Sequence, residues 1–226
     1  MRIAFIDFEF GQIYGSWRRD FLITEVAVLI YNTKTNKIQI AEKIFKPLCS
    51  LVMRKRVKEK DGEIKLLEYL VHPSKNINVA YDNTYKIPKK DRQAWRIKWS
   101  KVYAKKLRTF LHSTMHDVDK VYVFGGNEDI SLLQRYKVNI KAPIVDIQKI
   151  LQRTYGIRYS LDRVAEVLNL NILKEKRLSS INYSYQLPKQ NNIFAYHQKH
   201  LEAHHASGDC VLLFLVYMEL VVVHQS

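Results

Sequence analysis

The stretch Arg2-Ile-Ala-Phe-Ile-Asp-Phe8, followed directly by Glu9, decides how this chain begins to fold. It alternates and is rich in β-branched and aromatic residues, so it is predicted to form a strand. Two further strand-like runs follow, Leu22–Tyr31 and Lys37–Phe45. The turn-like sequence Asn32-Thr-Lys-Thr-Asn36 separates them, which predicts an antiparallel hairpin. The chain is therefore expected to open with a three-stranded antiparallel meander.

Beyond residue 90 the pattern changes to alternating helices and strands. An apolar stripe at helical spacing predicts a helix from Lys90 to about Met115. The elements expected after it are a strand at Lys120–Phe124, a helix at Glu128–Tyr136, a strand at Ala142–Asp146, and helices at Ile147–Tyr155, Ser160–Leu168 and Asp209–Val223. This order predicts an α/β fold with a mixed five-stranded sheet, three antiparallel strands then two parallel ones, flanked by helices.

The 226 residues fit one domain, 1–226, with a basic insertion at about 46–90 after the third strand. The charge of this domain is unevenly distributed. Lys and Arg outnumber Asp and Glu by 37 to 22, a formal charge of +15. Lys43 to Arg108 holds 19 basic and 6 acidic residues, a net +13. A localised basic surface indicates a polyanionic partner, nucleic acid first and an anionic membrane second, although charge runs are usually only solvated faces.

Two features bear on the cellular compartment. Cys49 and Cys210 show no pairing pattern, which favours a reducing environment. The N-terminus carries acidic residues where a signal peptide needs an apolar core. The apolar run Val211–Val223 contains Glu219 and is shorter than the roughly 20 residues of a membrane-spanning helix, so it is predicted to be a buried core helix. We expect a cytoplasmic protein.

Acidic residues stand at four informative positions. Asp7 and Glu9 are two apart on a strand, so their side chains lie on the same face. Paired carboxylates at the edge of a core favour a cation such as Mg²⁺ or Mn²⁺. Taken singly, each acid has a simpler explanation, because strands often end in exposed acids and both Asp129 and Asp209 stand near predicted helix N-termini.

A group of histidines precedes Asp209. His197, His200, His204 and His205 are explained either as surface polarity or as a fortuitous zinc site. No cysteine pair accompanies them, and their spacing matches no familiar zinc pattern. They become informative only in combination with the acidic residues.

Together and in this order, the motifs resemble those of the RNase T/DnaQ-like family of 3′–5′ exonucleases, in its DEDDh branch. The main matches are Ile6-Asp7-Phe8-Glu9, Thr24-Glu25-Val26-Ala27, Gly126-Asn127-Glu128-Asp129 and His204-His205-Ala206-Ser207-Gly208-Asp209. Shorter matches are Val145-Asp146-Ile147, Tyr155-Gly156-Ile157 and Ser160-Leu161. The resemblance spans almost the whole chain apart from Lys46–Pro88, and it implies a ribonuclease H-like fold.

The resemblance also implies a set of roles. Asp7, Glu9, Asp129 and Asp209 are expected to bind two divalent ions, Mg²⁺ or Mn²⁺, with Asp7 as the bridge. The H-x₄-D spacing selects His204 over His205 as the general base, and histidine titrates near neutrality as that role requires. Glu25 is expected to support the site without binding metal. Two metals can stabilise both the attacking water and the leaving oxygen of an in-line displacement.

The predicted substrate contacts are Phe8, Phe10, Arg18, Arg19 and Asn127. Phe10 stands where many relatives carry threonine. In the basic segment, Trp95 and Trp99 are expected to face the core, while some of the lysines contact phosphate.

The expected activity is metal-dependent removal of nucleotides from the 3′ end of single-stranded DNA or RNA, giving nucleoside 5′-monophosphates. The alternative is a catalytically idle module that binds nucleic acid or a partner protein. Single-stranded nucleic acid is the expected partner, a membrane is not, and either a homodimer or a subunit of a larger complex is compatible with the resemblance.

Overall fold

The computed structural model describes residues 1–16, 20–58, 64–73, 83–156, 158–170, 182–185 and 205–222. Its strands are β1 (Arg2–Ile13), β2 (Phe21–Asn32), β3 (Lys37–Ile44), β4 (Leu51–Lys58), β5 (Ile64–Val71), β6 (Lys120–Val123), β7 (Ile144–Asp146) and β8 (Asn182–Tyr185). Its helices are α1 (Lys89–Met115), α2 (Asn127–Arg135), α3 (Ile147–Tyr155), α4 (Leu161–Val167) and α5 (Ala206–Tyr217). A 3₁₀ turn, Asn83–Tyr85, precedes α1, and a π-helical turn, Met218–Val222, follows α5.

The predicted meander and the two parallel strands are confirmed. β1 pairs with β2 and β2 with β3, both antiparallel, while β6 lies parallel to β1 and β7 parallel to β6. The number of strands was wrong, because the described residues form one mostly antiparallel sheet of eight strands instead of five. β4 and β5 are a hairpin that joins the end of β1, and β8 adds to β3. The basic run Arg54-Lys-Arg-Val-Lys58 hides the alternation of β4, so no strand was predicted within the basic insertion.

The sheet is split beside β1. Ile3–Phe5 pair with β6 on one edge of β1, and Gln12 and Ile13 pair with β4 on that same edge. Within the part of the chain that the structure describes, no strand pairs with residues 6–11 on this edge. The split therefore lies along the segment that carries Asp7 and Glu9.

Two apolar cores cover the two faces of the sheet. On one face, Phe5, Leu29 and Ile40 pack against α5, in which Phe214 is fully buried. On the other face, Ile6, Val28 and Ile30 pack against α1 and α2, through side chains such as Trp99, Leu107 and Leu133. Apolar burial on both faces explains why β2 reads as a continuous hydrophobic run instead of alternating.

The helices agree with the sequence except in detail. α1 has its predicted extent, and Trp99 is buried as expected, whereas Trp95 is only half-buried and has the Lys98 ammonium 4.7 Å from its ring centre. α5 is a buried core helix, and it begins at Ala206, three residues before the predicted start. None of the helices in the described ranges combines the length and apolar character needed to cross a membrane.

Candidate functional site

The face of the sheet beneath α5 changes from apolar to acidic along the strands. Because side chains alternate, every second residue of β1 lies on this face. The cross-strand rows run Ile3–Tyr31–Ile38, Phe5–Leu29–Ile40, Asp7–Ala27–Glu42 and Glu9–Glu25–Ile44. The first two rows form core, and the last two bring four carboxylates to one end of the face. The first turn of α5 lies over that end.

Asp7, Glu9 and Asp209 form the first carboxylate cluster. One oxygen from each lies within 4.8 Å of the others, and all three side chains are half-buried. Asp209 stands in the first turn of α5, where the helix dipole favours a negative charge. The dipole explains an acid at this position but not its convergence with two acids of β1. The predicted grouping of these three residues is present in the fold.

Two of the acids have raised pKa values. The pKa of Asp7 lies well above its usual 3.8, first because of burial and then because of the charges of Asp209, Glu9, Asp129 and Glu25. Burial, with Glu128 and Asp146 nearby, raises the pKa of Asp129 to about 7. A set of converging carboxylate oxygens in which neighbouring negative charges raise the pKa of Asp7 suits a divalent cation such as Mg²⁺ or Mn²⁺.

Asp129 is positioned by the turn between β6 and α2. Gly125 has φ +69° there, a left-handed conformation that a residue with a side chain rarely adopts. The Gly125 N–H donates to Asp146 Oδ1 at 3.0 Å, and the same oxygen accepts from Lys149 N at the start of α3. Asp146 therefore ties the turn before α2 to β7. Asp129 follows in the first turn of α2, within electrostatic range of Asp7.

A second cluster adjoins the first and holds the start of α5. Ala206 N donates to Glu25 Oε1 at 2.7 Å, and His205 Nδ1 lies 3.0 Å from Glu25 Oε2. The Ser207 hydroxyl donates to Glu42 Oε1 at 3.2 Å. Glu25, Glu42 and His205 each also bring one atom within 4.8 Å of the others, as metal ligands do. Their hydrogen bonds instead link β2 and β3 to the beginning of α5.

Hydrogen bonding offsets burial in this second cluster. Burial alone would raise the pKa of Glu25, but its hydrogen bonds with His205, Glu42 and Ala206, together with the charge of His205, leave it below the usual 4.5. Burial likewise opposes the charge on His205, yet the hydrogen bond and charge of Glu25 raise its pKa above 6.5. The two side chains therefore stabilise each other as an ion pair.

The other predicted site residues are placed unevenly. Phe8 is buried on the opposite face of β1, with its ring stacked 6.4 Å from that of the half-buried Phe10. Asn127 is exposed as the first residue of α2. The remaining predicted site residues, Arg18, Arg19 and His204, lie outside the described part of the chain, as do His197 and His200 of the histidine group.

Glu42 was not among the predicted site residues. It shares its face of β3 with the buried Ile38 and Ile40, so it is an acid in an inward-facing register. That break in the apolar pattern was a usable signal.

The fold and site define an α/β protein whose carboxylate cluster could hold a divalent ion. No family model matches the chain, and no curated protein matches it in sequence. Among solved structures, the chain is similar to the crystal structure of cell-death related nuclease 4 (CRN-4), with 12% sequence identity and a TM-score of 0.45. The alignment covers 98% of this chain and 64% of that chain, so this chain spans just under two thirds of the length of the nuclease.

We expect the metal-free protein to lose stability as the pH rises. A carboxyl with a raised pKa in the folded state binds more protons there than in the unfolded chain, so its stabilising effect is lost as the pH rises through the folded pKa. For Asp129 this window runs from 3.8 to about 7. Denaturant unfolding in EDTA should show a fall of about 3 kcal/mol from pH 5 to pH 8 due to this residue.

The matched variant Asp129→Asn cannot ionise at this position. Between pH 5 and pH 8 its unfolding free energy should fall less than that of the wild type, and the difference should equal the contribution of Asp129. Equal pH dependence in both proteins would show that Asp129 is not held in a charge-disfavouring environment.

Proposed function

We propose that this protein is a metal-dependent 3′–5′ exonuclease of the DEDDh type with a ribonuclease H-like fold. It removes nucleotides one at a time from single-stranded DNA or RNA and releases nucleoside 5′-monophosphates. The observation that carries the proposal is the convergence of Asp7, Glu9 and Asp209 within 4.8 Å, with the charge of Asp129 reaching Asp7. These residues occur in the order of the sequence motif that first indicated the family.

Four carboxylates hold the metal in this proposal. Asp7, Glu9, Asp129 and Asp209 would hold two divalent ions, Mg²⁺ or Mn²⁺. The donor set fits such ions, because it consists of carboxylate oxygen atoms that converge within 4.8 Å in Asp7, Glu9 and Asp209. When bound, the ions neutralise the charge that develops on the phosphoryl oxygens during an in-line displacement. His204 takes the proton from the attacking water.

Several residues keep these ligands in place without binding metal. Glu25 fixes the first residues of α5 through its hydrogen bonds with His205 and Ala206. It thereby determines the position of Asp209 relative to β1. Asp146 fixes the turn that leads to Asp129. Ligands on a strand and two helices, each supported by hydrogen bonds, are held more precisely than ligands on loops.

The split in the sheet favours access for a chain end. Residues 6–11 lie between the diverging strands β6 and β4, and the two metal ligands of β1 stand on this segment. The carboxylates alone repel phosphate, so the bound ions must reverse the local sign before a strand can approach. Cytoplasmic action, and a homodimer or a larger complex, remain predictions from the sequence.

The test is degradation of single-stranded RNA and DNA oligomers labelled at the 3′ or the 5′ end. We expect 5′-labelled strands to shorten in single-nucleotide steps in Mg²⁺ or Mn²⁺, and 3′-labelled strands to release a labelled mononucleotide at once. EDTA should abolish both, because the carboxylates have no catalytic function without the ions.

Two results would contradict the proposal. A ladder that shortens from the 5′ end would exclude the 3′–5′ direction. Intact oligomers of both sugars with both metals would favour the idle nucleic-acid-binding or partner-docking module.

A further inference from the structure

A basic groove runs between α1 and the end of α2, on the side of the sheet away from α5. It encloses about 670 Å³, and its floor includes Ile97, Ala104 and the buried Tyr136. Six cationic side chains line it, and its lining contains no acidic one: Arg96, Lys101, Lys105, Arg108, Arg135 and Lys137. The groove therefore combines an apolar floor with positively charged walls.

The cations converge because two elements bring them together. Lys101, Lys105 and Arg108 of α1 recur at spacings of four and three residues, so they share one face of the helix, and Arg96 lines the groove from one turn earlier. Arg135 and Lys137 come from the C-terminal end of α2, where positive charge is favoured by the helix dipole. Arg108 donates to the Tyr136 carbonyl at 3.1 Å and ties the two walls together. Sequence position alone did not associate Arg135 and Lys137 with the basic segment.

Among the described residues, most of this charge has no carboxylate partner at ion-pair distance. Arg96 lies 3.0 Å from Asp20 and is partly compensated. Lys101, Lys105, Arg135 and Lys137 are exposed, and no carboxylate of the described ranges lies within 4 Å of their nitrogens. A concave surface with uncompensated positive charge focuses its potential on an anion.

We propose that this groove binds the phosphate backbone of a single nucleic-acid strand, as a site separate from the carboxylate cluster. The inference rests on the proposed function for the identity of the polyanion. Arg135 stands six residues after Asp129 on α2, about 9 Å along the helix axis. At the 3.4 Å rise per nucleotide of a stacked strand, this distance corresponds to a few phosphates. The groove therefore holds a part of the strand that lies a few phosphates from the end at the carboxylates.

The shape of the groove favours a single strand over other polyanions. Its volume equals a cube about 9 Å on a side, whereas the major groove of a duplex alone is about 12 Å wide. An anionic membrane is flat and meets protruding side chains, not the walls of a concavity. A single strand can enter with its phosphates against the cations and its sugars against Ile97 and Ala104.

The test measures binding of a fluorescent oligothymidylate of about 20 nucleotides, longer than typical single-strand site sizes. EDTA keeps the strand intact, and the wild-type protein is compared with Lys101→Ala/Lys105→Ala. The loss of two phosphate contacts should weaken binding roughly 10- to 30-fold at 0.1 M salt and lower the salt slope by about 1.4. The charge-reversed Lys101→Glu/Lys105→Glu variant should bind more weakly still.

The matched control is Lys34→Ala/Lys37→Ala, which removes the same charge from exposed lysines at the β2–β3 turn. That turn lies about five residues, or 17 Å, along the strands from Asp7. The control should bind as the wild type does.

Three results would overturn the groove as a single-strand site. The first is an equal loss of affinity in the Lys101→Ala/Lys105→Ala variant and in the Lys34→Ala/Lys37→Ala control. The second is an affinity for duplex that equals or exceeds that for the single strand and depends on the groove lysines. The third is binding of phosphatidylserine vesicles in place of the oligomer, again dependent on the groove lysines. A protein that binds through the groove and never cleaves would overturn the proposed exonuclease alone, whereas a protein that cleaves but binds equally after the groove substitutions would overturn this inference alone.

Discussion

Asp7→Asn should reduce metal-dependent shortening of a 3′ end by at least about 10³-fold, because it removes the carboxylate on which the other ligands converge. The substitution keeps the size and polarity of the side chain. It also removes a carboxyl whose ionisation is disfavoured by burial and by four neighbouring acids. The metal-free variant should therefore be more stable than the wild type at pH 8, while its activity is lost.

This combination separates loss of chemistry from loss of fold. Initial rates on labelled oligomers measure the first effect, and thermal unfolding in EDTA measures the second. Asp117→Asn is the control, since Asp117 lies at the surface in an ion pair with Arg2 and should leave the rate unchanged. A wild-type rate in Asp7→Asn would remove Asp7 from the site. Lost activity with lowered stability would leave misfolding as the explanation.

Glu25→Ala should destabilise the protein by roughly 3 kcal/mol, because it leaves the charge of His205 and the Ala206 N–H without their buried partner. The contribution of this pair to the free energy of unfolding depends on the ionisation of both Glu25 and His205. The contribution of Glu25, whose pKa is lowered, is present above 4.5 and is lost as the pH falls through the lowered value. The contribution of His205, whose pKa is raised, is present below 6.5 and is lost as the pH rises through the raised value.

Denaturant unfolding near pH 6, between the two pKa values, should therefore show the largest difference between Glu25→Ala and the wild type. Glu25→Gln retains an acceptor for Ala206 N and should lose less. Glu166→Ala is the matched control, because Glu166 pairs with Arg163 on the exposed side of α4 and such surface pairs contribute about 0–1 kcal/mol. Equal losses at positions 25 and 166 would show that Glu25 does not hold the start of α5.

The local pattern of the chain was sufficient to predict most of the elements and the acidic motif. The alternation of β1, the turn before β3 and the apolar stripe of α1 are properties of neighbouring residues, and each was placed within a few positions. The basic segment after β3 was predicted less well. Its lysines and arginines obscure the hairpin β4–β5, because a strand that is stabilised by pairing with β1 does not need a strong pattern of its own.

The sequence by itself determined the acidic residues on which the proposed function rests, at positions 7, 9, 129 and 209, together with their order and the excess of positive charge. Only the tertiary structure decided where they meet. β1 and α5 are about 200 residues apart in the chain, and their carboxylates come together because the apolar length of α5 packs on the sheet and Glu25 fixes its first turn. Packing between distant elements likewise joins α1 to the end of α2 and makes one groove of two unrelated basic segments. Local sequence encodes neither arrangement, because each depends on buried contacts between residues far apart in the chain.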